Sequence, residues 1–290
     1  MCDSEDFTHW VPNFLKQRYG ENKSRADAVW RMWALFLKEH ELTAPRQITR
    51  EYANTYIEWR QKPNKSKCKY KCCRNTIILE VKFIRIFLDE AVRRNYTAFN
   101  PWLKLNLHRE NQKQKPELPR SAMVKILREI RREPSPIKRK FFLTSFLISR
   151  YHGCRLSETH LNPLTQVDFG GSKPVISFNA KGGRTHTVFL HPKLIRRFRH
   201  MREQGMTETY KPLKSPAKEW FNLLRRSGVK DLHPGACFHS LRVTAATTLA
   251  RKGINEKRAM DYIGHASTTV HRSYVRLKAD DLSICADALA

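Results

Sequence analysis

A run of ten residues without a large apolar side chain, HRENQKQKPE at 108–117, interrupts an otherwise regular hydrophobic pattern. Such a run contributes nothing to a core, so the chain must build one core on each side of it. With 290 residues in total, both sides are long enough to do so. The expected organisation is a domain over residues 1–106, an extended linker over 107–120 and a second domain over 121–290.

The first side reads as helical throughout. In SRADAVWRMWALFLKEH the spacing places Ala28, Trp30, Trp33, Ala34 and Leu37 along one stripe, and ITREYANTYIEWRQ and NTIILEVKFIRIFLDEAVRRN repeat the period. Ser24 and Thr49 suit helix starts and Pro63 a helix stop, giving four or five helices with an aromatic core. The second side also opens helically and then changes character. QVDFGGSKPVISFNAKGGRTHTVFLHP holds the short β-type runs VISF and THTVFL between glycine-bearing turns, which predicts a small three-stranded antiparallel sheet. Helical spacing returns after it, with Gly228 and Gly253 where helices should stop and Asn255 and Ser267 where others should start.

Charge then narrows the partner. Fifty-five Lys and Arg against 27 Asp and Glu leave a formal +28, spread over both sides and the linker. Double-stranded DNA is the expected counterpart, gripped from two sides rather than by one basic tail. In NKSKCKYKCCRNT, the cations Lys65, Lys67, Lys69, Lys71 and Arg74 feed a long helix, a placement suited to backbone phosphates or to a solvated loop. No apolar run is long enough to span a bilayer, and MCDSEDFTHW lacks the pattern of a signal peptide. A cytoplasmic, nucleoid-associated protein is expected, or a nuclear one in a eukaryote. Cys68, Cys72 and Cys73 cluster without a second ligand pair at zinc-finger spacing, so no metal is expected and the thiols read as reduced.

The chemistry sits in the second domain. Arg155 lies in GCRLSE, Lys181 at the hairpin turn in NAKGGR, His239 and Arg242 in HSLR, His265 in IGHAS, and Tyr274 nine residues later. His239 and Arg242 share one face of a helix start, where the dipole favours a phosphate, although a capping His and a solvated Arg fit the same spacing. Arg184 and His186 rival Lys181 on the hairpin, and Glu158 could hold the Arg155 guanidinium in place. Cations to hold phosphate oxygens, a general acid for the leaving group and a phenol to attack are what phosphodiester cleavage without a metal requires.

These segments resemble the tyrosine recombinases, the phage-integrase and Xer-like superfamily. GCRLSE is similar to the first arginine box, NAKGGRTHTVFL to the lysine hairpin, and FHSLRVTAATTLARKGI with MDYIGHASTTVHRSYVRL to the second box, over roughly residues 118–278. Val243 departs from the pattern, in which many relatives carry His after the arginine. The resemblance implies a mainly α fold: a helical N-terminal core-binding domain and a mixed α/β catalytic domain with the small antiparallel sheet. It also implies roles. Tyr274 is the nucleophile of a 3′-phosphotyrosyl link, Arg155 and Arg242 clamp the phosphate, and Lys181 protonates the leaving 5′-oxygen. His239 helps to deprotonate Tyr274, and His265 donates a hydrogen bond to the phosphate.

The implied function is site-specific recombination without metal, ATP or other cofactor, by a tetramer on paired DNA sites. A telomere resolvase, a type IB topoisomerase and an idle DNA-binding protein on the same fold are the alternatives. Tyr262 reads as a packing residue rather than a second nucleophile. Leu277, Leu282, Ile284 and Leu289 could form an apolar C-terminal helix for a neighbouring subunit or for self-packing.

Overall fold

The computed structural model describes residues 5–62, 72–110, 114–180 and 183–282. The chain forms two compact units, Met1–Gln112 and Lys113–Ala290. The fold is mainly α, and among the described residues it has one three-stranded antiparallel sheet, in the second unit. Among the described residues no helix is long and apolar enough to cross a membrane.

The first unit contains α1 (Phe7–Tyr19), α2 (Ser24–Glu39), α3 (Glu51–Gln61) and α4 (Arg74–Arg93). Asp6 caps α1 by accepting the Thr8 N–H at 2.7 Å. The buried stripe of α2 is Ala26, Val29, Trp33, Phe36 and Leu37, whereas Ala28 is exposed and Trp30 and Ala34 are half-buried. The expected stripe was thus rotated by part of a turn. Trp33 and Leu37 belong to both readings, and a 3.6-residue period fits Ala26 and Val29 as well as it fits Ala28 and Trp30. Trp33 stacks on Phe36 at 5.2 Å and meets Tyr56 and Trp102 edge-on at 5.4 and 5.3 Å. A buried ion pair joins α3 to α4, Arg60 Nη2 donating to Glu80 Oε1 at 2.7 Å, with the Tyr56 hydroxyl donating to Glu80 Oε2 at 3.0 Å. Every oxygen of this carboxylate therefore has a donor, which is what makes burial of the charge tolerable.

Leu105 and Leu107 pack on this core, and Asn75 and the Glu110 backbone exchange two hydrogen bonds. The start of the polar connection is thus seated on its own unit. α3 begins at Glu51, two residues after Thr49, and Pro63 lies outside the described residues.

The second unit runs α5 (Arg120–Arg132), α6 (Pro136–His152), β1 (Val167–Asp168), β2 (Val175–Ala180), β3 (Arg184–Phe189) and α7 (Pro192–Glu203). It continues through α8 (Pro216–Arg226), α9 (Val229–Leu232), α10 (Ser240–Arg251), α11 (Glu256–Ile263) and α12 (Thr268–Arg272). The sheet order is β1-β2-β3, with Ile176 opposite Val188 and Phe178 opposite His186. Phe141, Phe142, Trp220 and Leu241 join α6, α8 and α10 in one core. Ile176 and Phe178 seat the sheet on Ile148, Leu194 and Phe198 in another. Asn255 caps α11 and Ser267 caps α12 through their side-chain oxygens.

Candidate active site

The site grows from the first turn of α10, where the sequence HSLRVTAATT buries almost every side chain. Its buried small residues, among them Ala245 and Ala246, let α6 and α11 approach closely. Arg242 is wholly buried there. Its Nη1 donates to the Gly153 carbonyl at 2.7 Å and the Ile263 carbonyl at 2.9 Å, its Nη2 to the Gly264 carbonyl at 3.1 Å, and its Nε to His265 Nε2 at 2.9 Å. A guanidinium has five N–H groups, so among the described residues one Nη2 hydrogen remains for a ligand. Burial, then Arg155, lowers the Arg242 pKa to about 10, which still leaves it cationic at neutral pH.

Two glycines make this seat. Gly153 ends α6 at φ +64°, and a Cβ there would lie 3.2 Å from Ala245 Cβ and from Ile263 Cγ2. Gly264 ends α11 at φ +76°, with the His186 ring 3.1 Å from where a Cβ would stand. Positive φ and close packing together require glycine at both turns.

Tyr274 follows α12, its N–H donating to the His271 carbonyl at 2.8 Å. Thr247 accepts the Arg276 N–H at 3.0 Å and donates to the Tyr274 carbonyl, which ties the tyrosine segment to α10. The Tyr274 hydroxyl lies 2.5 Å from His239 Nε2. Its ring lies 4.5 Å from that of His265, and the Arg242 guanidinium sits 5.6 Å from the ring centre. Burial, then Arg242, Arg155 and Lys115, pushes the His239 pKa down to about 4. A neutral imidazole with Nε2 unprotonated can accept the phenol proton, so this pair is a base and an acid in contact.

Arg155 enters from the other side, on the turn after α6. Its Nη1 donates to Glu158 Oε1 and its backbone N–H to Glu158 Oε2, both at 2.6 Å. Glu158 is buried while the guanidinium is about a third exposed, so the carboxylate aims the cation and leaves an edge open. Arg155, Arg184, His186, Gly264 and His265 line a cavity of about 630 Å³.

Lys181 lies outside the described residues, as do Lys65, Lys67, Lys69 and Lys71. Of its rivals, His186 donates from Nε2 to the Tyr262 carbonyl at 3.1 Å, an internal tie, whereas Arg184 lines the cavity. Arg74 donates from Nε to the His108 carbonyl at 3.1 Å, and Cys68, Ile284 and Leu289 also fall outside the described residues. The Tyr262 hydroxyl donates to the Tyr151 carbonyl at 3.1 Å. Two neighbours of the site escaped sequence reasoning: His271, which contacts His265, and Lys115, which helps to keep His239 neutral. The signal for the first is the one histidine between His265 and Tyr274; the second carries none.

Among the described residues of this unit, burial is the first cause lowering the pKa of His152, His191, His239, His265 and His271. His152 is lowered to about 3, His239 to about 4 and His265 to about 2, with Arg242 the next cause for the last two. In the unfolded chain each takes up a proton near pH 6.5. Below that pH the unfolded state binds protons that the folded state refuses, so stability falls as pH falls from about 6.5 towards 4. The urea midpoint of the second unit should be lower at pH 5 than at pH 7.5; an equal or higher midpoint at pH 5 contradicts the burial of neutral histidines.

Comparison with known proteins follows the same division. Residues 117–280 match the phage integrase family, and residues 6–108 match the phage integrase SAM-like domain. A lambda integrase dimer bound to a COC′ core site is similar at TM-score 0.69 and 15% identity, over 94% of this chain and 96% of that one. The XerH site-specific recombinase bound to palindromic difH substrate, a post-cleavage complex, is similar at TM-score 0.66 and 15% identity, over 91% and 78%. The Tn1549 transposon integrase in complex with a circular intermediate DNA is similar at TM-score 0.64 and 15% identity, over 99% and 100%. No match was found among curated protein sequences. At these identities the solved structures establish the fold.

Proposed function

The chain belongs to the phage integrase family of tyrosine recombinases, and from that premise we propose that it is a site-specific recombinase that cleaves and rejoins DNA through a 3′-phosphotyrosyl intermediate. The observation that carries this reading is the contact of the Tyr274 hydroxyl with His239 Nε2, made directly beside the buried Arg242. A phenol ionises near pH 10 in water, so attack at neutral pH needs an adjacent base and a cationic field.

The step balances without a cofactor. Tyr274 passes its proton to His239 and its oxygen bonds to phosphorus. The bond from phosphorus to the 5′-oxygen breaks, and Lys181 supplies the proton that oxygen takes. Arg155 and the open edge of Arg242 hold the non-bridging oxygens, whose charge grows in the transition state. The products are a 3′-phosphotyrosine and a 5′-hydroxyl. Attack by a 5′-hydroxyl from a second duplex reverses the chemistry and exchanges strands, so neither metal nor ATP is called for. The basic first unit and the cations at 65–74 would grip the backbone of double-stranded DNA. A tetramer on two paired sites would place the reacting ends together.

The test uses two labelled duplexes carrying the chain's own site. Recombinant product between them supports the reading. Supercoil relaxation without exchange would instead assign a topoisomerase, and absence of any covalent adduct would leave a DNA-binding protein.

A further inference from the structure

His265 is engaged at both ring nitrogens, and the partners fix its protonation. Arg242 Nε donates to His265 Nε2 at 2.9 Å, and an arginine cannot accept. Nε2 is therefore the unprotonated nitrogen, and the single proton of this neutral ring lies on Nδ1. That proton points at His271 Nδ1, 2.8 Å away, which accepts it. His271 then carries its own proton on Nε2. His271 is buried on α12, in the turn that delivers Tyr274.

In this arrangement His265 has no hydrogen to offer a phosphate. Phosphate oxygens only accept, and Nδ1 is shut away against His271, so a His265 that contacts the scissile phosphate must carry its proton on Nε2. Nδ1 then loses its proton and needs a donor. His271 is the group in place to provide it.

Resting on the recombinase reading above, we propose that His271 is a positioning residue that exchanges donor and acceptor roles with His265, so that His265 and Arg242 both turn N–H groups to the incoming phosphate. The exchange leaves charge unchanged. The bridging proton crosses from His265 Nδ1 to His271 Nδ1, water in the cavity that His265 lines gives one proton to its Nε2, and His271 Nε2 passes one to water, so solvent gains and loses one proton. His271, Glu256 and Arg272 line a cavity of about 560 Å³ beside α12. An oxygen entering between Arg242 Nε and His265 Nε2 accepts from both, and three carbonyl contacts still hold the arginine. A side chain of the same volume that can only donate, only accept or do neither would stabilise one state at the expense of the other.

The test compares His271→Leu and His271→Asn in the full chain, since asparagine places both an acceptor and a donor near the Nδ1 position. Single-turnover covalent adduct formation on a nicked suicide duplex is measured beside DNA affinity and thermal midpoint. His271→Leu should slow adduct formation about 10- to 100-fold, the size of loss seen when the hydrogen-bond partner behind a metal-ligating histidine is removed, with affinity little changed. His271→Asn should recover most of that loss. Nitrogen-15 spectra should place the His265 proton on Nδ1 in free protein, and on Nε2 when Tyr274→Phe protein is bound to uncleaved DNA. A His271→Leu rate equal to wild type overturns the proposal, as does a His271→Asn rate as slow as that of leucine, or one tautomer in both spectra. If wild-type protein forms no adduct at all, the recombinase reading fails instead, and the free-protein spectrum still reports whether His271 accepts from His265.

Discussion

Replacing Arg242 with alanine is expected to destabilise the second unit by about 4 kcal/mol or more, because four buried acceptors lose the donor that satisfies them. Three carbonyls, those of Gly153, Ile263 and Gly264, lose their donor, and His265 Nε2 loses its own. Each buried acceptor left unpaired costs about 1–3 kcal/mol. Domains are stable by about 5–15 kcal/mol, so much of the margin disappears. Arg242→Lys separates the structural role from the chemical one. An ammonium has three donors without a planar fork, too few for four acceptors and a phosphate together. Arg242→Lys should remain folded with a lowered midpoint and lose cleavage by about 100-fold or more. Denaturation midpoints and adduct rates read the two effects, and an Arg242→Ala protein as stable as wild type would show that the seat described here is not what holds the helices together.

Replacing Tyr274 with phenylalanine is expected to do the opposite: abolish chemistry and spare the fold. Only the hydroxyl is lost, and its contact among the described residues is His239. The ring keeps its packing on His265 and its place beside Arg242. Stability should change by less than about 1 kcal/mol, and DNA affinity, carried by cations elsewhere, by no more than about twofold. Covalent adduct formation should fall by about 10⁴-fold or more, since nothing else at this position can form the bond. Retention of cleavage would move the nucleophile elsewhere. Tyr262 is poorly placed for that role, because its hydroxyl is turned to the Tyr151 carbonyl and its pKa is pushed up to about 12 by burial.

Much of this was legible before the fold. The change from helical spacing to glycine-punctuated β runs at 167–189 announced the sheet, and Asn255 and Ser267 announced the two short helices that bring His265 and Tyr274 to α10. Other features were not. The α2 stripe slipped because an amphipathic helix with a wide apolar face admits two neighbouring registers, and only the partners of Trp33 choose between them. The polar stretch reads as an extended linker able to lie along another surface, and its first residues accept from Arg74 and Asn75 through backbone carbonyls that composition cannot reveal. A spacing of six residues predicts no contact between His265 and His271. The Ser267 cap turns the chain back and makes it one. The roles of His265 and Arg242 were likewise assigned singly, whereas the two side chains are hydrogen-bonded to each other.

The claim that organises these observations is that Tyr274 forms the covalent bond to DNA and that His239 takes its proton. The most direct measurement traps the cleaved state on a nicked suicide duplex, digests protein and DNA, and locates the adduct by tandem mass spectrometry. The expected result is a single modified residue, Tyr274, linked to the 3′-phosphate of the cleaved strand, with a free 5′-hydroxyl on the released fragment. An adduct on Tyr262 or any other residue, or a link through a 5′-phosphate, would contradict it.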